Sequence, residues 1–320
     1  MLYIFYNEID KNECAKLVLE EINNPYVTLI PAGKNIWSYK NTFSRFLLHM
    51  GFCLHFPFKY NFNHNFISIV KQIKKSDSIL IFAGGFGISP CLSFPFLKFC
   101  NAQKKYLWLW DSVLSKTDLR FLKYLKKYYE VFTFDAFDAE KYGLTYKNTV
   151  AHFPFVSMSA HEEKLESDIY FVGKDRGRYD KLNKLFEIFS KLGIVCDFNI
   201  LRDETSPQKE KTLKFSERRI PQYENYGRLN KSRSVLDIPV AGQHGLTQRT
   251  LESLFLRRKV ITTNEWIKKE KLYSEENVYI ITDENLNDIQ EFLSASFRKT
   301  DLSDYKIDNW IRAFIVERGG

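Results

Sequence analysis

Two segments of the chain combine glycines and charged side chains in a way that could handle a phosphorylated ligand. The first is Gly173-Lys174-Asp175-Arg176-Gly177-Arg178, placed between an apolar run and a helical pattern. Its glycines let the backbone come close to a ligand, and the start of the helix offers N–H groups and a partial positive charge. Lys174, Arg176 and Arg178 add cations, so the loop suits a phosphate or diphosphate. It has neither the Gly-Lys-Ser/Thr ending of a Walker loop nor the spacing Gly-x-Gly-x-x-Gly. The plain alternative is a solvated basic turn that opens a helix. The second segment runs from Asp237 through Gly242-Gln243-His244-Gly245-Leu246-Thr247-Gln248-Arg249-Thr250-Leu251-Glu252. Thr247 can cap the helix that follows, and Arg249 and Glu252, three residues apart, share one face of its first turns. A guanidinium and a carboxylate there could serve a phosphate and a ribose diol; the alternative is an ion pair within the helix.

A general base should be an Asp, Glu or His at the C-terminal end of a strand. Asp111, directly after the apolar run Tyr106–Trp110, fits best. Asp135, after Val131–Phe134, is the second candidate, with the alternative that Asp135 and Asp138 cap a turn. His49, His55 and His64 suit packing or surface roles. The cluster Gly84-Gly85-Phe86-Gly87-Ile88-Ser89 could approach a ligand or form a tight turn. The chain contains no Asp-x-Asp, and its five cysteines form no Cys-x-x-Cys and have no histidine at zinc-ligand spacing, so no metal site is expected.

These loops must be held by alternating strands and helices. Apolar runs of strand length occur at Leu2–Tyr6, Val27–Ile30, Ser78–Phe82, Tyr106–Trp110 and Val131–Phe134. Helical spacing occurs at Asn12–Ile22, Phe66–Lys75 and Leu119–Tyr129. After a polar linker, Ser157–Ser167, come strand Asp168–Val172, helix Tyr179–Leu192, strand Val195–Leu201 and an exposed loop, Arg202–Glu217. Then follow helix Tyr223–Asn230, strand Ser234–Val240, helix Thr247–Leu256 and strands Lys259–Thr262 and Val278–Ile281. The alternation predicts two α/β domains with parallel sheets. A last helix, Asp304–Val316, needs something to pack on.

The 320 residues suffice for two domains with their own cores. The formal charge is +8, and residues 1–160 carry nearly all of it, with 19 basic and 12 acidic side chains. Between Ile22 and Ser76 there are seven cations, no acid and many aromatics. That stretch could dock on an anionic bilayer or bind nucleic acid, or its aromatics could simply pack in a core. No signal peptide or membrane span is expected, which places the chain in the cytoplasm with reduced thiols.

The run Asp237 to Glu252, followed by Lys259-Val260-Ile261-Thr262-Thr263-Asn264, resembles the donor half of bacterial GT-B glycosyltransferases that build lipopolysaccharide core or capsular glycans. So do Tyr170-Phe171-Val172-Gly173 to Arg178 and Asp135 to Leu144; the resemblance covers roughly residues 130–285. It implies an α/β fold of GT-B type, with two facing Rossmann-like domains of parallel sheets and a C-terminal crossing helix. Residues 1–156 would bind the acceptor, 157–167 link, 168–300 bind the nucleotide-sugar, and 301–320 return to the first domain. By the same resemblance, Gly173, Lys174, Arg176 and Arg178 face the donor diphosphate, Gly245, Leu246 and Thr247 lie under it, and Glu252 holds the ribose hydroxyls. Arg249 acts on phosphate or orients Glu252. The family's base does not carry over, so Asp111 and Asp135 rest on their positions alone.

The expectation is a metal-independent, cofactor-free transferase. Its partners would be a nucleotide-sugar donor, a lipid-linked or oligosaccharide acceptor and the inner face of the cytoplasmic membrane, without nucleic acid. A non-catalytic nucleotide-binding module would keep both loops and lack turnover; a nucleic-acid-binding protein would leave them unexplained.

Overall fold

The computed structural model describes residues 1–6, 18–31, 64–83, 100–113, 119, 122–123, 125–151 and 164–315, with the side chains of 64–67 excepted. The loop Gly84–Ser89, most of the basic stretch, residues 12–17 of the first expected helix, His49, His55 and residues 157–163 of the expected linker lie outside the described residues. The chain divides into two compact units: Met1–Phe153 with Ser303–Gly320, and Pro154–Leu302.

In unit 1 the strands are β1 (Leu2–Tyr6), β2 (Val27–Pro31), β3 (Ser78–Ala83), β4 (Lys104–Leu109), β5 (Glu130–Thr133) and β6 (Thr145–Tyr146). Among the described residues they form one parallel sheet in the order β2-β1-β3-β4-β5-β6. Parallel strands covered on both faces must be apolar at every position, and Ser78–Ala83 shows how. Ile79 and Ile81 join a core with Val70 and Ile73 at helix α1 (His64–Gln72) and with Leu122, Leu125 and Tyr129. Leu80 and Phe82 join the opposite core, with Leu2, Ile4, Tyr106, Trp108 and Phe132. Helix α2 (Ala136–Tyr142) follows β5.

That second core is completed by Ile307, Trp310, Ile311 and Phe314. The expected single helix Asp304–Val316 is instead a chain of short turns: a 3-10 turn at Ser303–Tyr305, α7 (Ile307–Trp310) and a second 3-10 turn at Ile311–Phe314. Both helix types turn the same residues inward. The Trp310 indole lies 5.0 Å from that of Trp108 and donates from Nε1 to the Asn148 carbonyl at 2.6 Å. Ser78 Oγ donates to the Phe314 carbonyl at 2.9 Å, and Ala151 N to Tyr305 O at 2.9 Å.

Unit 2 contains β7 (Ser167–Lys174), α3 (Tyr179–Lys191), β8 (Cys196–Leu201), α4 (Gln222–Asn230), β9 (Ser232–Asp237), α5 (Gln248–Phe255), β10 (Lys259–Thr262), β11 (Val278–Ile280) and α6 (Ile289–Ser294). The strands are parallel in the order β11-β10-β9-β7-β8. Helices α3 and α6 cover the face bearing Ile169, Phe171, Leu236 and Ile261. Helices α4 and α5 lie against β7, β9 and β10. From β7 the chain goes to β8 on one side and returns to β9 on the other. Such a reversal opens a crevice between the C-terminal ends of β7 and β9.

Residues 202–217 form a loop that is largely exposed, as expected, and is anchored on α3 through Leu213 and Phe215. The Tyr179 hydroxyl donates to Leu213 O at 2.7 Å, and Phe215 stacks on the Tyr179 ring at 4.8 Å. Cys100 and Cys196 are free thiols, and burial pushes that of Cys196 up to about 12. Among the described residues no helix is long and apolar enough to cross a membrane.

Because Trp310 is fully buried and hydrogen-bonded, Trp310→Ala should destabilise unit 1 by about 3–5 kcal/mol, the usual cost of emptying an aromatic site. Urea unfolding followed by far-UV circular dichroism measures it.

Candidate functional site

The crevice of unit 2 is built around a buried carboxylate. Asp237, the last residue of β9, accepts from Arg249 Nη1 at 2.7 Å through Oδ1. Its Oδ2 accepts from the hydroxyls of Thr247 at 2.9 Å and Thr250 at 2.7 Å. Thr247 also caps α5, its hydroxyl accepting from Thr250 N at 3.3 Å. Arg249 spends Nη2 on the Val172 carbonyl at 2.7 Å, while its Nε is buried without a hydrogen bond. Arg249 therefore pairs with Asp237 across the sheet edge rather than with Glu252 along the helix.

A second guanidinium lies beside it. Arg178 donates from Nε to Asp175 O at 3.0 Å, from Nη1 to Ile238 O at 2.5 Å, and from Nη2 to Lys174 O. These partners are carbonyls, and the carboxylates of Asp237 and Asp175 act on it by charge alone. Burial first, and then the charge of Arg249, lowers the Arg178 guanidinium to about 10. Gly173 explains how both cations fit: a Cβ there would stand 3.3 Å from Arg178 Nη2 and 3.3 Å from Arg249 Nη2. The Phe171 ring supports both, 5.4 Å from Arg178 and 5.0 Å from Arg249.

The loop after β7 differs from the expectation of open backbone donors. Asp175 Oδ1 takes Arg178 N at 2.8 Å and Tyr179 N at 2.7 Å, which fills the start of α3. Arg176 N donates to Asp203 Oδ2 at 2.8 Å and Gly177 N to Thr205 Oγ1 at 2.7 Å. Arg176 and Gly177 both have positive φ, 48° and 75°, and those two contacts hold the turn in place. What the loop presents outward is the side chains of Lys174 and Arg176, both exposed. Asp175, Asp203, Thr205 and the role of Asp237 escaped the sequence reading. An aspartate just ahead of a helix is a detectable capping signal, whereas the Asp203 contact spans 27 residues and leaves no local trace.

In the second loop, Gly245 and Leu246 are buried, so Leu246 supports the turn as packing. Asn264, after β10, ties this loop down by donating from Nδ2 to His244 O at 2.8 Å. Glu252 on α5 is 6% exposed and receives hydrogen bonds from Gln222 Nε2 at 3.3 Å and the Tyr226 hydroxyl at 3.5 Å, with the Asn225 side chain a third partner. Burial pushes its carboxyl up to about 7, against the opposing effects of Arg249, Tyr226, Gln222 and Asn225. A carboxyl whose hydrogen bonds from Gln222 and Tyr226 are this long gains from the two donors of a diol.

In unit 1, Asp111 is exposed just beyond the C-terminal end of β4. Asp135 is fully buried and capping: Oδ1 accepts from Phe137 N at 3.0 Å and Asp138 N at 3.3 Å, and Oδ2 from Ser112 Oγ at 2.8 Å. These contacts make Asp135 a cap of α2, as its alternative reading has it.

Fold and crevice define a class: an α/β protein of two parallel-sheet units, as the GT-B resemblance implies, with an anion-suited crevice at the reversal point of the second sheet. No protein-family model matches the chain, and no curated protein matches it. Among solved structures it is similar to the UDP-GlcNAc 2-epimerase of Methanocaldococcus jannaschii, at 9% identity over 98% of each chain with a TM-score of 0.48. It is also similar to a DNA-modifying β-glucosyltransferase, at 13% identity over 98% of this chain and 95% of that one, TM-score 0.47. The spinosyn forosaminyltransferase SpnP follows at 11%, 98%, 95% and 0.42. Likenesses of this size carry no functional argument.

The buried carboxyl of Glu252 has a pH signature. Its folded pKa lies above the ordinary 4.5, so the cost of ionising it is absent below that value and grows until about 7. Glu252→Gln should therefore unfold at a higher temperature than the wild type at pH 8, by about 3 kcal/mol in stability, with the gap closing near pH 4.5. Thermal denaturation across that range measures it.

Proposed function

We propose that the chain is a glycosyltransferase that moves a sugar from a nucleotide-activated donor to a lipid-linked or oligosaccharide acceptor. The observation that carries this reading is the pair of guanidinium groups, Arg178 and Arg249, both within 3.3 Å of where a Cβ on Gly173 would stand, at the end of β7. Together with exposed Lys174 and Arg176, these two guanidinium groups suit the diphosphate that leaves during transfer. Negative charge grows on this group in the transition state, and fixed cations stabilise it there. Glu252 is the ribose ligand in this reading. Gly245, Leu246 and Thr247 shape the turn beneath the donor, and Asp111 is the candidate base. With cations in the place where a divalent metal would act, turnover is metal-independent.

The finer reading follows the resemblance: synthesis of a bacterial surface glycan, lipopolysaccharide or capsule, in the cytoplasm at the inner face of the membrane. The basic, aromatic stretch Ile22–Ser76 supports contact with anionic lipid.

Turnover should be read as release of nucleoside diphosphate from a panel of nucleotide-sugars, with and without acceptor glycans. Lys174→Ala and Arg176→Ala should lower kcat by roughly tenfold or more with smaller changes in KM, because they meet charge that develops late. EDTA should leave the rate unchanged; magnesium-restorable inhibition would overturn metal independence. Breakdown of nucleotide-sugar at full rate without any acceptor would replace transfer by chemistry on the donor alone.

For the membrane, sedimentation with phosphatidylserine-containing vesicles should rise with anionic lipid and fall with salt. It should drop when Lys34, Lys40, Arg45 and Lys59 are changed to glutamine. No sedimentation of the wild type at low salt would remove membrane contact from the reading.

A further inference from the structure

We infer that one open face of α4, carrying Tyr223 and Gly227, is the platform on which the base of the donor nucleotide lies. This rests on the donor reading of the same crevice and extends it to a nucleoside with a planar base.

Tyr223, at 79%, is the most exposed large hydrophobic side chain among the described residues. Gly227, four residues on, lies one turn away on the same side of the helix. A glycine inside a helix weakens it relative to almost any other residue. Nothing in the fold requires one here. The backbone of Gly227 is not left-handed, and a Cβ built on it meets no atom within 4 Å. The helix thus gives up stability to keep the space beside the Tyr223 ring clear. A ring next to a missing side chain accepts a flat π-face irrespective of its hydrogen-bonding edge.

The remaining sides of α4 are occupied. Glu224 and Arg228 pair at 2.9 Å and engage Arg218 and Asp197, while Asn225, Tyr226 and Leu229 are buried. The open face is also continuous with the crevice. Gln222, immediately before Tyr223, donates to Glu252 Oε1, and Tyr226, three residues after it, donates to the same oxygen. A ribose held by Glu252 has its base one sugar ring away, and Gln222 and Tyr226 tie the helix that bears Tyr223 to that carboxyl. Stacking rather than edge recognition would hold the base, so affinity should depend on the presence of a base more than on its identity.

Calorimetry on the full chain with UDP, CDP, ADP, GDP and inorganic pyrophosphate tests this. Tyr223→Ala should weaken the best-bound nucleoside diphosphate on the order of tenfold and leave pyrophosphate within about twofold, and Tyr223→Trp should restore the nucleotide. Gly227→Gln should raise the melting temperature by roughly 1–2 °C while weakening the nucleotide, a pairing that a glycine kept for folding would not produce. If Tyr223→Ala binds nucleotide as well as the wild type while Lys174→Ala does not, the platform is wrong and the donor reading stands. If neither nucleotide nor pyrophosphate binds the wild type, both fall.

Discussion

The Asp237 carboxylate fixes the crevice of unit 2, because three donors from α5 and its cap converge on it at the end of a buried strand. Without that charge, Arg249 would be a second unpaired cation beside Arg178, and the carbonyl of Val172 would lose its partner. A buried ion pair of this kind adds little net stability, since desolvation consumes most of the attraction. What it does is set geometry: β7, β9 and α5 meet in one arrangement. The glycine at position 173 suits this arrangement, for a Cβ there would press on both guanidinium groups at 3.3 Å.

The same economy governs the loop after β7. Its backbone donors are already engaged by Asp175, Asp203 and Thr205, so its chemistry is left to side chains. A loop whose amides cradled phosphate would be selective for shape. One that offers Lys174 and Arg176 on a braced turn recognises charge. The polar segment after β8, which looks like a mere connection, is the brace.

Much of this was legible in the sequence where the signal is local. Runs such as Ser78–Phe82 suit strands buried on both faces, and β1 and β10 have the bounds expected of them, Leu2–Tyr6 and Lys259–Thr262. Thr247 as a cap and the glycine loops at strand ends were equally visible, since capping and turn chemistry act over a few residues. The broken C-terminal helix was not, because the spacing of Ile307, Trp310, Ile311 and Phe314 suits hydrogen bonds to the third or the fourth preceding residue. Nor was the engagement of Asp135 by Ser112, or of Arg176 by Asp203, because those bonds join residues brought together only by the folded sheets.

Unit 1 is closed by residues from both ends of the chain, with Trp310 and Phe314 seated in a core that otherwise uses residues up to 150. During synthesis these side chains leave the ribosome after every strand of unit 2. Folding in the order of emergence, usual for multidomain chains, is therefore inverted in part: the later unit holds all its own strands in one continuous stretch and can finish first. Until then the nascent first sheet exposes one apolar face, and over that interval the chain is most dependent on chaperones and most open to aggregation.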